Sequence, residues 1–316
     1  MQVFLSLDGS EKDQRALQVT DAFAELTGGD IHLVRVLAVP ATKTSLGMAL
    51  LGLTAGREDL KADIEQSLRT TSERLSSVSG TSRKVTWEVI DGVDVASELL
   101  RRARSSADVI VMATRAPGTV KRAFFGSVAD RIVRDASCPV VVVPPGTHYA
   151  SGKRISLKRA LVPLDGSRAS VAALDRMLEL LPAGSVEYVL MQDVHIESIA
   201  GYMMPEPVLP ALPGDLAAAA PRVLHIQAEQ AEEDLNEVAA RLRQLGASAS
   251  VVISETGDPA AAIHEAIRRE LVDLIVMSTR GSGGVQRMLL GSVANRVVRK
   301  SEVPVFLTTC SSRSAS

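Results

Sequence analysis

The sequence predicts an α/β protein made of two tandem doubly wound, Rossmann-like domains, each with a five-stranded, mostly parallel sheet. Three observations point there. First, the phrase GSVADRIVR at 126–134 returns as GSVANRVVR at 291–299, with seven of nine residues identical. Second, three further blocks return in the same order. LSLDGS (5–10) matches LVPLDGS (161–167), DVIVMATR (108–115) matches DLIVMSTR (273–280), and CPVVVVPP (138–145) matches VPVFLTT (303–309). Third, each copy alternates short apolar runs with amphipathic stretches, the pattern of a parallel sheet covered by helices on both faces.

Asp8 recurs at Asp165 and Gly126 at Gly291, so the offset grows from 157 to 165 and insertions between blocks total eight residues. This is a duplicated unit. Its boundary falls in PPGTHYASGKR (144–154), which has the Pro, Gly, Ser and Lys of a connecting segment. The first domain is read as 1–146, the linker as 147–153 and the second domain as 154–310.

In the first copy the apolar runs place strands near 2–8, 31–37, 84–90, 108–113 and 139–143, with helices near 11–26, 57–78, 94–105 and 126–135. Continuous runs such as VIVM and VVVV suit strands buried on both faces. In the second copy Ala160–Leu164 reads as a strand and Arg168–Leu180 as a helix, with apolar residues at 171, 174, 178 and 181. Val186–Met191 is a strand, Arg222–Leu245 a long polar-faced helix, and Ser248–Ser254 an alternating strand. Pro259–Arg269 is helical with its proline at the favoured first position. Leu274–Met277, Ser292–Lys300 and Val303–Leu307 complete the unit as strand, helix and strand. On the repeated helix, Val128, Ile132 and Val133 face the sheet, as do Val293, Val297 and Val298. Arg131, Arg134, Arg296 and Arg299 are expected on a solvated face. The segments 40–56 and 196–221 are long apolar loops, read as a lid, a partner surface or a disordered crossover.

Composition narrows the functional classes. Of 316 residues 46% are hydrophobic and 23% charged, ample for two packed cores. A net charge of −2 and only 3% aromatic residues argue against a nucleic-acid surface. No apolar run reaches membrane-spanning length and none resembles a signal peptide, so a soluble, cytoplasmic protein is expected. Cys138 and Cys310 stand alone and are read as reduced thiols.

A ligand in such a fold sits beyond the carboxyl ends of the strands, where the strand order reverses. In the second copy three features converge there. Asp165 ends the first strand, STRG (278–281) follows the fourth, and Gly291-Ser292 opens the last helix. Gly281, Gly283 and Gly284 permit close backbone approach, Arg280 and Arg287 add positive charge, and Ser292 adds a hydroxyl. A loop of this kind leading into a helix N-terminus suits a phosphate chain. Asp165 would accept from a ribose or base, or else cap the first helix.

On these residues the chain resembles the universal stress protein family over nearly all of both halves. ATP-binding members of that family carry G-x2-G-x9-G-[ST] after the fourth strand. Here Gly281, nine intervening residues and Gly291-Ser292 match, and Ser278 stands in the first glycine's place. The resemblance implies an adenine nucleotide as ligand, ATP above all, with Mg2+ as companion and AMP as the alternative nucleotide. It assigns the binding positions to Pro163, Leu164, Asp165, Met191, Met277, Ser278, Arg280, Gly281, Gly291, Ser292 and Val293. Met191, or a residue close to it, is the one whose backbone would read adenine. It also implies pairing through the last strands, between the two halves and between whole chains, and an unidentified protein partner.

The first copy reads ATRAPGTVKRAFFGS, with Ala113 and Ala116 for the leading glycines. Ala116 precedes Pro117, which biases it to extended backbone and removes a donor, and Phe124 and Phe125 crowd the approach. That copy is expected to bind ATP weakly or not at all, though Arg115, Gly126 and Ser127 could hold a lone anion. The five histidines share no spacing between the copies and are read as surface or boundary residues. No nucleophile elbow or Walker loop is present, so a sensing role is expected rather than efficient catalysis, with slow ATP hydrolysis left open. The alternatives are a nucleotide-independent interaction module and a slow hydrolase or adenylyl-transfer enzyme.

Overall fold

All the strands and helices read from the sequence form, with small shifts at their ends. The computed structural model describes residues 1–38, 55–78, 83–114, 126–147, 149, 154–182, 184–194, 214–279 and 290–308. The first half runs β1 (Gln2–Leu7), α1 (Asp13–Thr27), β2 (Asp30–Ala38), α2 (Ala55–Val78), β3 (Val85–Gly92), α3 (Val95–Ser106), β4 (Val109–Ala113), α4 (Ser127–Asp135) and β5 (Val140–Val143). The second runs β6 (Arg159–Pro163), α5 (Arg168–Leu180), β7 (Glu187–Asp193), α6 (Gly214–Gln244), β8 (Ser248–Ser254), α7 (Pro259–Arg269), β9 (Leu274–Ser278), α8 (Ser292–Lys300) and β10 (Val305–Thr308).

One boundary differs by more than an end effect. Part of the segment read as loop is helix, because α6 begins at Gly214 rather than at Arg222. Pro221 cannot donate to the carbonyl one turn back, which disfavours a helix continuing through it. The chain instead carries Pro221 inside the helix, behind the strong helix formers Ala217–Ala220. The remainder of 196–221, and 40–54, lie outside the described residues.

The two predicted sheets are one. Ten strands hydrogen-bond in the order β3-β2-β1-β4-β5-β10-β9-β6-β7-β8. All neighbours within a half are parallel. The seam is antiparallel, pairing Val305 with Val142, Phe306 with Val141 and Leu307 with Val140. The cause is the sequence of the last strands. Val140–Val143 and Val305–Leu307 are apolar on both faces, and an unpaired apolar edge is a sticky one. Each half covers the other's edge, and the strands are buried.

Period-two alternation sends side chains to two core layers. Val3, Leu5 and Leu7 pack with α1 and α2, while Phe4 and Val34 pack with α3 and α4. Each layer continues across the seam into the second half. Phe23 of α1 stacks on Phe306 of β10 with ring centroids 6.3 Å apart. Gly146 passes so close to the end of α8 that a Cβ there would lie 2.8 Å from the Ser301 carbonyl. On the repeated helices the buried residues are Ala129, Ile132 and Val133, and Ala294, Val297 and Val298; Val128 and Val293 are only half-buried.

The repeated arginines are not idle on a solvated face. Asp94 caps α3, accepting from the Ala96 and Ser97 N–H groups, and Arg131 of α4 pairs with that carboxylate. Asp258 caps α7 through the Ala260 and Ala261 N–H groups, and Arg296 of α8 pairs with it. The same bracket thus joins two helices in each half. It holds Asp94 below the usual carboxylate range through Ser97 and Arg131, and Asp258 through Arg296 and the Ala261 N–H.

Phe306→Ala should cost about 3–5 kcal/mol, because it opens a cavity where the two halves share a core. Urea unfolding should show one transition moved to lower denaturant. A loss under 1 kcal/mol would mean that the seam collapses freely around the gap.

Candidate functional site

In each half the strand order reverses beside the first strand, so a crevice opens beyond the carboxyl ends of β1 and β4, and of β6 and β9. The second-half crevice is built on the turn after β6. Leu164 stays tied to the sheet, its N–H donating to the Met191 carbonyl at 2.7 Å. Gly166 follows with φ +73°, a left-handed bend that glycine adopts without strain. Asp165 is exposed, and its Oδ1 accepts from the Ser167 N–H at 3.1 Å. Ser167, not Asp165, caps α5 by accepting from the Ser170 N–H at 3.2 Å. The carboxylate therefore braces the turn and stays at the strand end.

The other wall is the end of β9. Met277 is core, and Ser278, also buried, is the last strand residue. The Thr279 N–H donates to the Thr308 carbonyl, and the Gly291 N–H to the Thr279 carbonyl at 2.7 Å. Both ends of the segment between them are thus pinned together. Arg280 and Gly281, with Gly283, Gly284 and Arg287, lie outside the described residues. Gly291 starts α8 at φ −58°, Ser292 is exposed in its first position, and Val293 is half-buried. At the carboxyl ends of β6 and β9 the fold brings together Pro163, Leu164, Asp165 and Ser278 and, through the Thr279–Gly291 bond, Gly291, Ser292 and Val293, with Met277 packed in the core beside them. Met191 sits one strand across, inside β7 and deep in the core. The first residue past that strand is Val194, whose N–H donates to the Ser254 carbonyl at 2.7 Å.

Comparison with known proteins agrees with this architecture. The sequence profile of the Universal stress protein family matches residues 2–144 and again 156–308. The chain belongs to the universal stress protein family. A universal stress protein of Mycolicibacterium smegmatis is 26% identical over 308 residues, covering 96% of both chains. One of Methanocaldococcus jannaschii is 29% identical over 150 residues, covering 48% of this chain and 81% of that protein. The crystal structure of a universal stress protein from Archaeoglobus fulgidus shares the fold at 20% identity, with a TM-score of 0.63 and 98% coverage of each chain.

The two universal stress units of this chain treat their crevices differently. In the first, Lys12 extends from the start of α1 to the strand ends. Its Nζ lies 2.8 Å from Asp8 Oδ2 and 3.4 Å from the Ala113 carbonyl. It therefore spans the mouths of β1 and β4. The Arg35 guanidinium covers Gly9 so closely that a Cβ there would meet it at 2.3 Å. By the repeat, Lys12 corresponds to Ala169 and Arg35 to Gln192. Asp13 takes the Asp8 and Gly9 N–H groups, holding the turn from within. Burial tends to raise the Asp8 pKa, but the hydrogen bond and charge of Lys12 and the Ser10 contacts outweigh it. The carboxyl is held well below its ordinary range. Gly126 opens α4 at φ +103°, where a side chain would be strained, unlike its counterpart Gly291. Arg115, Ala116, Pro117, Phe124 and Phe125 lie outside the described residues.

The sequence reading passed over several groups. Lys12 was visible as a charge where the other copy has alanine. Asp193 ends β7 where the first half has Val36, and its Oδ2 is shut from solvent without a hydrogen-bond partner among the described residues. Asn295 Oδ1, in the first turns of α8, is in the same condition. His32 is a boundary residue, its ring held by Thr86 at 2.7 Å and Glu88 at 3.1 Å. His264 is half-buried, and burial pushes its pKa down; His148 and His195 lie outside the described residues. Burial pushes the Cys138 thiol up to about 11, which leaves it unreactive at neutral pH. Among the described residues no His, Cys, Asp and Glu group has the arrangement of a metal site, and no helix is long and apolar enough to cross a membrane.

The Lys12–Asp8 pair makes a pH-dependent contribution. Asp8's folded pKa lies below its unfolded value of about 3.9, so the contribution is present above about pH 4 and is lost as pH falls through the folded value. Lys12→Met should melt below the wild type at pH 7, with a gap that narrows as pH falls below about 4 and closes only beneath the folded value. A gap that stays constant over that range would show that Lys12 acts through packing alone.

Proposed function

We propose that this universal stress protein binds one adenine nucleotide, ATP, in the second-half crevice, and that occupancy serves as a signal. The observation that carries this reading is the contrast between the crevices. In the first, Lys12 bridges the strand-end carboxylate and the fourth strand, and Arg35 covers the turn. In the second, alanine and glutamine take those places. One site is filled by the protein's own cations, and the other is left to a ligand.

The residues of the second crevice fit a nucleotide. The N-terminal turn of α8 and Ser292 would hold phosphate, with Arg280 and the glycines of 281–284 closing over it. Asp165 would accept from a ribose hydroxyl, with Pro163, Leu164 and Ser278 lining the approach. Two acceptors shut from solvent, Asp193 Oδ2 and Asn295 Oδ1, need donors that the described residues do not supply. Mg2+ would ride on the phosphates and AMP would fit the same nucleoside contacts. Among the described residues none is arranged as a nucleophile and base at this crevice, so the reading is a binder with slow hydrolysis at most.

The seam makes the two halves a pseudo-dimer within one chain, and we place the protein in the cytoplasm. Ser278, in the place of the family's first glycine, favours a second reading, a nucleotide-independent interaction module of the same fold. Calorimetric titration with ATP separates them. The expected stoichiometry is near one per chain, abolished by Gly281→Pro or Gly291→Trp. Absence of heat at millimolar ATP would leave the interaction module as the better account.

A further inference from the structure

We infer that this protein stacks on copies of itself, the basic helical face of one molecule seating on the acidic helical face of the next. The inference is independent of what either crevice binds.

The faces follow from the seam. The antiparallel joint continues one sheet and leaves equivalent helices of the two halves on the same side of it. Helices α1, α2, α5 and α6 pack in one core layer, and α3, α4, α7 and α8 in the other. A charge bias carried by equivalent helices therefore adds between the halves instead of cancelling.

That bias is large, and a net charge of −2 conceals it. Helices α3, α4, α7 and α8 carry ten arginines and lysines against four acids. The opposite layer, α1, α2, α5 and α6 beyond Pro221, carries fifteen acids against ten arginines and lysines. On the basic face the caps Asp94 and Asp258 answer Arg131 and Arg296, and Glu88 answers Arg102. Arg104, Arg268, Arg299 and Lys300 are exposed and have no ion pair among the described residues. On the acidic face the same holds for Glu58, Asp59 and Asp63 of α2 and for Glu232, Glu233 and Glu237 of α6.

Neither set finds its complement within one molecule. Two helix diameters and a sheet separate the faces, more than about 20 Å. That is over twice the Debye length of about 8 Å at physiological salt, so each face is screened from the other. The complement is present on a second copy, and the small net charge opposes its approach only weakly. Ten strands about 4.8 Å apart make each face about 40 Å across. Such a face has room for the about 800 Å² that a specific interface takes from each partner. The contact joins two different surfaces, so a stack keeps a free face at each end and does not close as a two-fold pair would. Exposed ion pairs are individually weak, so stacks form and dissolve with salt and concentration.

The test is sedimentation of the full chain over a range of protein concentrations. At about 20 mM NaCl the weight-average mass of wild type should rise at least about twofold with concentration, and at about 0.5 M NaCl it should stay constant. One variant reverses the basic face with Arg104→Glu, Arg268→Glu, Arg299→Glu and Lys300→Glu. Another reverses the acidic face with Asp59→Lys, Asp63→Lys, Glu232→Lys and Glu237→Lys. All eight positions are exposed. Each variant alone should lose the rise at low salt. An equal mixture of the two should regain it, because one then offers acidic faces and the other basic ones. The wild-type salt dependence needs no variant, so a poorly folded mutant does not spoil the test. A wild-type mass that is constant at low salt, or a rise that survives both reversals, would overturn the inference. So would a wild type that stays constant in mass at low salt yet binds phosphatidylglycerol vesicles, which would give the basic face to an anionic membrane.

Discussion

The rest of the molecule depends on the pairing of two apolar strand edges. A five-stranded unit ending in VVVV or VFLT cannot leave that edge in water without inviting association. Duplication within one chain solves this by placing a complementary edge nearby. The solution must be antiparallel, because each half presents its last strand with the same hand and the contact is a near two-fold one. The direction of the seam then fixes where function can sit. Parallel strands in each half put a crevice at their carboxyl ends, and an antiparallel seam points those ends in opposite directions. The two crevices lie at opposite ends of one sheet and cannot share a ligand.

That separation explains how the copies could diverge so far at their strand ends while keeping one architecture. The exchanges Lys12 for Ala169, Arg35 for Gln192 and Val36 for Asp193 all fall at the carboxyl ends of strands. The buried strand interiors stay apolar in both halves. In the first half the strand-end acid is kept, but its charge is answered by a lysine from the next turn. A carboxylate at a strand end needs a counter-charge or donors, and an intramolecular ammonium supplies one without further change to the turn.

Much of this was legible in the sequence, for a physical reason. Element type follows from periodicity, and strands such as 109–113 and 140–143 are apolar runs too short to be helices and too continuous to be half-exposed. Caps were legible where the chain places Asp-Pro before an amphipathic run, as at 258–259. The start of α6 was not, because Pro221 is a local stop signal, yet the helix runs through it from the helix-forming alanines before it. Pairing of the two halves came from the family resemblance and not from the residues, because an edge strand looks the same in sequence whether its partner is another chain or the same one. At the site, Asp165, Ser278 and Gly291-Ser292 could be read from strand and helix ends. The contacts of Lys12 with the Ala113 carbonyl and of Asp193 with Thr256 could not, since each reaches across strands in a way that sequence spacing does not encode.

The repeated phrase shows how a strong repeat can mark a structural need shared by both copies. GSVADRIVR and GSVANRVVR differ mainly at Asp130 and Asn295, and both keep the arginine that pairs with the cap of the preceding helix. Each such pair is exposed, and exposed pairs contribute little to stability. Their effect is on geometry. The cap fixes where α3 or α7 starts, and the arginine fixes where α4 or α8 lies against it. That in turn aims the N-terminus of the last helix at the crevice. The phrase is therefore kept in both halves because both must place that helix, whether or not anything binds before it. What distinguishes the two copies lies outside the phrase, in the turn after the first strand and at the end of the second.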